Sequence, residues 1–483
     1  MIDWADVGDF VAETYIGFVY WSILTSLGVT IWYFPLWHMG ISGFEALLFI
    51  TLTPFLLGIP SIRQLVAHRA PYLHLASLIS LAAYLVRDPV IRLVLVSLGL
   101  GISNLVWAGQ FHYMAMTNAS RFHRAVMVFG LGLILSSVAK MACWANNPVW
   151  PIMNAATGGW NKTGILLGVL ACVRLAQRKP PTNHSPVSKG TEGKEQSTIL
   201  IASGLGVLMF GLHTFLCDSS TLILWVWDGF PVTGPLAIPH GVVTIVAMGL
   251  GLLSSSNLTL LQTWLALAIA AVGASFLYNL HGWWGYFGGL ALAIYLMAIT
   301  LQFLYAAATS LYPGRVFGLS FLLYDILVLA HVWVVAYAFV PGGIYLRERT
   351  DLLILATLAG LAAGVFYLRR NASFISDSLK FTKSNVFQQR TKLYTLVSVG
   401  FLSTLACVIA FLRFPTFDYT PYHPEARLFT AGIWTVHFGI DNEMWASEIR
   451  MRDAIRDVEL DVVGILPQTT HPKSRPFSWC NMY

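Results

Sequence analysis

The sequence predicts an all-α polytopic membrane protein of about thirteen transmembrane helices, ending in an incomplete βαβ fragment of an α/β domain. Three observations predict this. Of 483 residues, 56% are hydrophobic and 11% are charged, about half the charge of a soluble α/β protein, and the mean hydropathy is +0.66. Apolar runs of roughly 20 residues recur, each long enough to cross a bilayer core. Only the stretch from Leu428 to Leu466 combines dense charge with amphipathic order.

The acidic amino terminus, Met1 to Glu13, lacks the basic flank and cleavage site of a signal peptide, so the first span is expected to be an uncleaved signal. Candidate spans fall at 15–34, 41–60, 72–86, 90–110, 124–144, 157–175, 198–217, 235–254, 258–280, 284–307, 316–340, 351–368 and 393–412. Residues 177–197 (QRKPPTNHSPVSKGTEGKEQS) are polar, with prolines and glycines, and read as a flexible cytoplasmic linker. The linker separates a first membrane region, 1–176, of about six spans from a second, 198–412, of about seven. No convincing sequence repeat relates the halves, which weakens an inverted-repeat transporter. Residues 413–466 read as the start of a lumenal domain, and 467–483 as a divergent tail.

Positive charge in the connections sets the expected orientation. With Arg174, Arg178, Lys179, Lys189 and Lys194 cytoplasmic, alternation puts Arg63, Arg69, Arg121, Arg124, Arg315, Arg369, Arg370, Lys380, Lys383, Arg390 and Lys392 on the same side. The opposite connections hold only Arg87, Arg92, Lys162, Arg347 and Arg349, a bias of about three to one. The amino terminus is then cytoplasmic and the carboxyl terminus lumenal. The net charge of +6 fits basic cytoplasmic loops better than nucleic-acid binding. Of the N-x-S/T matches at Asn118, Asn161, Asn183, Asn257 and Asn371, only Asn161 falls on the lumenal side. Cys143, Cys172, Cys217, Cys407 and Cys480 lack metal spacing and read mostly as small buried hydrophobes.

In the last stretch, Phe429 to Gly439 is β-branched and aromatic and suits a strand. Asp441 or Asn442 can cap a helix running from Met444 to Glu459, with Met451, Ala454, Ile455 and Val458 on its apolar face. Leu460 to Leu466 reads as a second, parallel strand.

Candidate chemistry is sparse. Asp325 and His331 sit inside the eleventh span, where an ionisable group is costly and faces a polar interior. Six helical residues place them roughly 240° apart, so each needs a partner elsewhere. They are either interhelical hydrogen-bonding contacts or a substrate or proton site. His240 and His281 lie at span ends and can meet a head group or simply bond at the interface. Glu45 and Lys140, near the outer ends of spans two and five, are placed to snorkel toward water, and could pair with each other. After Pro341-Gly-Gly, which breaks its helix, Arg347, Glu348, Arg349 and Asp351 crowd the outer surface. Such arginines can hold a phosphodiester, or the cluster can satisfy itself as an ion network. Gly-x-Ser-x-Gly, Walker A and HExxH patterns are absent. Gly130 to Gly132 and Gly249 to Gly251 read as close helix packing.

Several stretches resemble one known family. They are Tyr20-Trp-Ser-Ile-Leu-Thr-Ser-Leu-Gly28 with Tyr33-Phe-Pro35, Asn147-Pro-Val-Trp150, Phe339 to Asp351, and Ile433-Trp-Thr-Val-His-Phe-Gly-Ile-Asp-Asn-Glu-Met-Trp445. Arg450 to Gly464 is the most specific. Together they resemble the fungal calcofluor-white-hypersensitivity protein family and its animal relative, the post-GPI-attachment factor interacting protein. The resemblance runs from about residue 15 to 466. It implies GPI-anchor lipid remodelling at the endoplasmic reticulum, with diacylglycerol-type lipid exchanged for ceramide, and a lumenal endonuclease/exonuclease/phosphatase-like domain.

The implied partners are a GPI-anchored lipid or protein, ceramide, and a membrane partner in remodelling, with no nucleic acid. Where the family continues with Leu-Glu-Ser-Asp and its metal-binding glutamate, this sequence has Pro467. No cofactor is therefore expected in this chain, and a divalent metal only in the complete domain; Asp441 and Asn442 are an incomplete ligand set. His437, in the matching stretch, joins Asp325 and His331 as a catalytic candidate. The competing readings are a lipid or small-molecule transporter or scramblase, and a non-catalytic scaffold for a separate remodelling enzyme.

Overall fold

The computed structural model describes residues 3–32, 43–178, 197–227, 234–334, 342–373, 375, 386–414, 420–436, 439–441 and 443–467. Among the described residues thirteen helices overlap the thirteen expected spans, the second and third only in part. In the first half they are α1 (Trp4–Trp32), α2 (Gly43–Thr51), α3 (Pro60–Ser77), α4 (Pro89–Thr117), α5 (Ala119–Ala142) and α6 (Asn161–Ala176). In the second they are α7 (Thr198–Leu216), α8 (Ala237–Ser254), α9 (Trp264–Asn279), α10 (Gly282–Ala308), α11 (Pro313–Trp333), α12 (Thr350–Arg370) and α13 (Val386–Leu412). Among the described residues, nine have the length and hydropathy of a full crossing, or ten if one bent pair counts as a single span.

That pair, Ala46–Gly58 and Pro60–Leu85, bends by 102°. The break follows from chemistry. Pro60 clashes with a helical residue before it, and Ile59 is extended at φ −88°, ψ 117°. Asp88 caps α4 by accepting from the Ile91 amide at 2.9 Å, with Pro89 at the first helical position. Asn118 ends α4 and caps α5 through the Arg121 amide at 3.0 Å, so two long helices meet in a one-residue corner.

α1 lies against α4, α5 and α6, and α7 against α10, α11 and α12. The halves join where α5 meets α8 and α13, α4 meets α10, and α2 meets α11. Without a hydrophobic drive inside a bilayer, helices adhere through close backbone approach. A Cβ on Gly17 would stand 2.7 Å from the Val128 carbonyl oxygen, and one on Gly251 2.5 Å from that of Ile294. The glycine runs of α5 and α8 are thus packing surfaces.

Charge divides between the two ends. At one end Arg124 pairs with Asp6 and Glu13, both at 2.5 Å, while Arg174 meets Asp9 at 2.7 Å. Arg178 bridges Asp9 (3.5 Å) and Glu13 (2.5 Å), and Arg390 meets Asp3 at 3.1 Å. Arg92, at the other end, meets the carboxyl-terminal unit at Met444 and Trp445, while Lys140 and Arg413 donate to the Cys217 and Met141 carbonyls. The grouping of Arg124, Arg174, Arg178 and Arg390 is the one that alternation of the spans requires.

In the carboxyl-terminal unit, β1 (Ala431–Val436) runs parallel to β2 (Val462–Pro467), in register from Ala431 opposite Val462 to Val436 opposite Pro467. Helix α14 (Glu448–Asp457) makes the crossover. It starts later than Met444 because Asp441 does not cap it. Asp441 Oδ1 instead accepts from the Glu443 amide (2.9 Å) and the Trp445 amide (2.8 Å), closing a turn before the helix. Of the apolar face only Met451 is buried, and Val458 is exposed.

Candidate functional site

The carboxyl-terminal unit is clamped to the bundle by Arg92. Its Nη1 donates to the Met444 carbonyl at 2.8 Å, and its guanidinium stacks 3.7 Å from the Trp445 ring centroid. The same side chain, only 1% exposed, also donates to the Val86 and Arg87 carbonyls at 3.2 and 3.1 Å. The loop after α5 completes the dock: the Ala446 amide donates to the Ile152 carbonyl (3.0 Å), and Asn146 Nδ2 to Glu448 Oε1 (3.0 Å). Burial pushes the Glu448 carboxyl above the usual range, and the Asn146 bond only partly opposes that.

A line of buried polar groups descends from this dock. Asn147 Nδ2 donates to Ser22 Oγ at 2.9 Å, and Trp150 Nε1 to Thr25 Oγ1 at 3.1 Å. Lys140, which its position would send to water, turns inward. It is 1% exposed, donates to the Cys217 carbonyl at 2.9 Å, and lies 5.0 Å from the Trp150 ring centroid. Cys217 closes the carboxyl end of α7, where free carbonyls favour a cation. One turn back, His213 Nδ1 pairs with Tyr324 Oη at 2.6 Å.

Asp325 is fully buried. Oδ2 accepts from Thr51 Oγ1 of α2, and Oδ1 has no partner among the described residues. His331 faces elsewhere, between Phe210 at 6.1 Å and Trp225 at 6.2 Å between ring centroids. As the helical rotation requires, the two do not meet. His213 carries the signal that marks Asp325, a polar group inside an apolar run. Tyr324 and Arg92 offer none, since only the fold supplies their partners.

The remaining candidates lie apart. Arg349 Nε and Nη2 grip the half-buried Asp351 at 2.9 Å each, and Arg347 lies 3.6 Å from Glu348, with both arginines and Glu348 exposed. Asp441 gives its second oxygen to Arg450. His437 and Asn442 fall outside the described residues, as do the side chain of Glu45 and the whole of Cys480. No group of three or more His, Cys, Asp or Glu with metal-holding geometry occurs among the described residues. Both Asp441 oxygens are committed to hydrogen bonds, so Asp441 as placed does not fit a divalent ion. His240 accepts the Leu236 amide at 2.8 Å and stacks edge-on to Trp283 at 4.7 Å, an interfacial anchor. Asn161 is buried, donating to the Trp150 carbonyl at 2.8 Å, so its sequon is closed to a glycan here.

Three family models match in order along the chain. Residues 18–174 match the first transmembrane domain of PGAP2IP, 194–374 its second transmembrane domain, and 426–474 its C-terminal nuclease-like domain. The chain belongs to the PGAP2IP family. It is 40% identical over 471 residues to the protein cwh43 of Schizosaccharomyces pombe, covering 95% of this chain and 48% of that protein, so it spans about half that relative's length. Among solved structures, the outward-facing major facilitator transporter FucP aligns at TM-score 0.42 and 13% identity, over 85% of this chain and 100% of that one. A bacterial homologue of the lysosomal transporter Spinster aligns at 0.42 and 15% identity, over 85% and 98%. Both likenesses are too loose to bear on the fold. In this chain, Glu443, Met444, Trp445, Ala446 and Glu448 of the nuclease-like unit contact the bundle and its loops.

Proposed function

We propose that the chain works in GPI-anchor lipid remodelling at the endoplasmic reticulum membrane, exchanging or helping to exchange diacylglycerol-type lipid for ceramide. The amino terminus lies in the cytoplasm and the nuclease-like unit in the lumen. One observation carries the reading: Arg92 fastens that unit to the end of the bundle where the buried polar line begins. A phosphodiester at the lumenal surface and a lipid among the helices then sit on either side of one interface. Membership of the PGAP2IP family supports the same reading. Arg347 and Arg349, exposed beside α12, are the proposed phosphate contacts, with Glu348 and Asp351 orienting them.

The test is lipid mass spectrometry of GPI anchors from cells lacking the gene for this chain. The expected result is a fall in the ceramide-bearing fraction. Unchanged anchor lipids would refute the reading. The unpartnered Asp325 Oδ1 favours a second reading, a lipid pathway through the bundle. Flux in proteoliposomes that survives in wild type and fails in Asp325→Asn, with anchor lipids unaffected, would replace the first reading with the second.

A further inference from the structure

A cavity of about 300 Å³ opens at the amino-terminal end of the bundle, opposite the nuclease-like unit, among α1, α3, α4, α5 and α6. Its inner wall is apolar, with Ile16, Ala67, Pro71, Met114, Ala125 and Val128. Its mouth carries Arg121, Arg124 and Arg178 with Glu13. The charges there do not balance. Four guanidiniums (Arg121, Arg124, Arg174, Arg178) face three carboxylates (Asp6, Asp9, Glu13), and the ion pairs use every one of these except Arg121. Arg121 is half-buried and makes no ion pair or side-chain hydrogen bond among the described residues. Deeper in the wall, Trp107 is 7% exposed with an indole Nε1 that has no hydrogen-bond partner among the described residues.

We infer that this cavity binds an anionic glycerophospholipid, its phosphodiester on Arg121 and an acyl chain along the apolar wall. An arginine fork suits phosphate oxygens, and the surplus positive charge selects a net-negative head group over a zwitterionic one. Arg121 stands two residues inside α5, at the depth of a head group, and the apolar wall runs from there toward the bilayer core. The volume matches a head group with the start of one chain, at the small end of ligand cavities. An indole N–H at that depth can donate to an ester carbonyl. The site is independent of the remodelling reading, since it lies at the other end of the molecule.

The test uses the full chain purified in mild detergent, exposed to phosphatidylcholine vesicles with or without phosphatidylinositol, and then examined by native mass spectrometry. Wild type is expected to retain one phosphatidylinositol and no phosphatidylcholine. Arg121→Gln should lower retention on the order of tenfold, and Arg315→Gln, an exposed arginine away from the cavity, should leave it unchanged. Ala67→Trp, which fills the cavity without touching an arginine, should also abolish retention, so loss does not rest on one variant's folding. Inorganic phosphate alone should neither displace the lipid nor raise the melting temperature. Wild-type retention in both cavity variants overturns the proposal, and so does equal stabilisation by inorganic phosphate. Anchor-lipid composition reports on the remodelling reading separately.

Discussion

Replacing Arg92 with alanine should loosen the nuclease-like unit while leaving the membrane helices folded. The size follows from the geometry. A charged hydrogen bond such as that to the Met444 carbonyl contributes about 2 kcal/mol, and a desolvated cation–π contact such as that with Trp445 about 2 more. Arg92 is 1% exposed, so solvent screening does not discount either. The two share one guanidinium and are not fully additive, giving about 3 kcal/mol, or on the order of a hundredfold in the ratio of docked to undocked unit. The Ala446 amide reports that ratio directly, because its acceptor, the Ile152 carbonyl, belongs to the bundle. Its hydrogen exchange should accelerate on the order of a hundredfold, with α1 and α10 amides unaffected. Arg92→Lys keeps the charge but loses the planar fork and should fall between. Exchange at Ala446 that stays within about twofold of wild type in Arg92→Ala would refute the clamp.

Docking should also depend on pH through Glu448. Its carboxyl is raised when docked, so the docked state holds the proton more tightly: the stabilisation is full below the ordinary glutamate range and fades as pH rises through the raised value. Ala446 exchange measured against pH should show that fade, and Glu448→Gln should flatten it. Gly132→Leu would drive a side chain into the Gly17 backbone, which cannot yield. The melting temperature in detergent should drop by an amount reflecting at least about 2 kcal/mol of overpacking. Tyr324→Phe removes the 2.6 Å bond between Tyr324 Oη and His213 Nδ1 and should cost about 1–2 kcal/mol in the same assay. Arg349→Ala should leave the melt unchanged, because its pair with Asp351 is exposed, yet lower cross-linking of a photoactivatable GPI lipid.

The nine or ten apolar crossings among the described residues were legible because a span's length and composition are written locally, while the expected thirteen counted short and bent helices as full spans. The grouping of Arg124, Arg174, Arg178 and Arg390 at one end was legible because loop charge alternates with the crossings. The corner at Asn118 and the break at Pro60 each rest on one residue, yet the expected spans 41–60, 90–110 and 124–144 anticipated neither turn. What was not legible depends on distance along the chain. Thr51 and Asp325 are 274 positions apart and Arg92 and Met444 are 352 apart, and no window of sequence holds both partners. Lys140 illustrates the cost of local reasoning. A lysine at a span end is expected in water, and only the arrival of the Cys217 carbonyl and the Trp150 ring makes the interior its better solvent. Asp441 likewise had the chemistry of a cap, but the turn to Trp445 claimed it first.

The ion network under the bundle also bears on biogenesis. Asp6 and Glu13 leave the ribosome 118 and 111 residues ahead of Arg124, and Glu13 precedes Arg178 by 165. At roughly 5–20 residues per second, that last interval is on the order of ten to thirty seconds. Through nearly all of it Asp9 lacks both of its counterions, Arg174 and Arg178, whereas Asp6 and Glu13 meet Arg124 once residue 124 is made. Sealing of the amino-terminal half therefore waits on translation of its sixth helix, and a polypeptide stalled before Arg174 would present the translocon with an unneutralised segment, a defined handle for quality control.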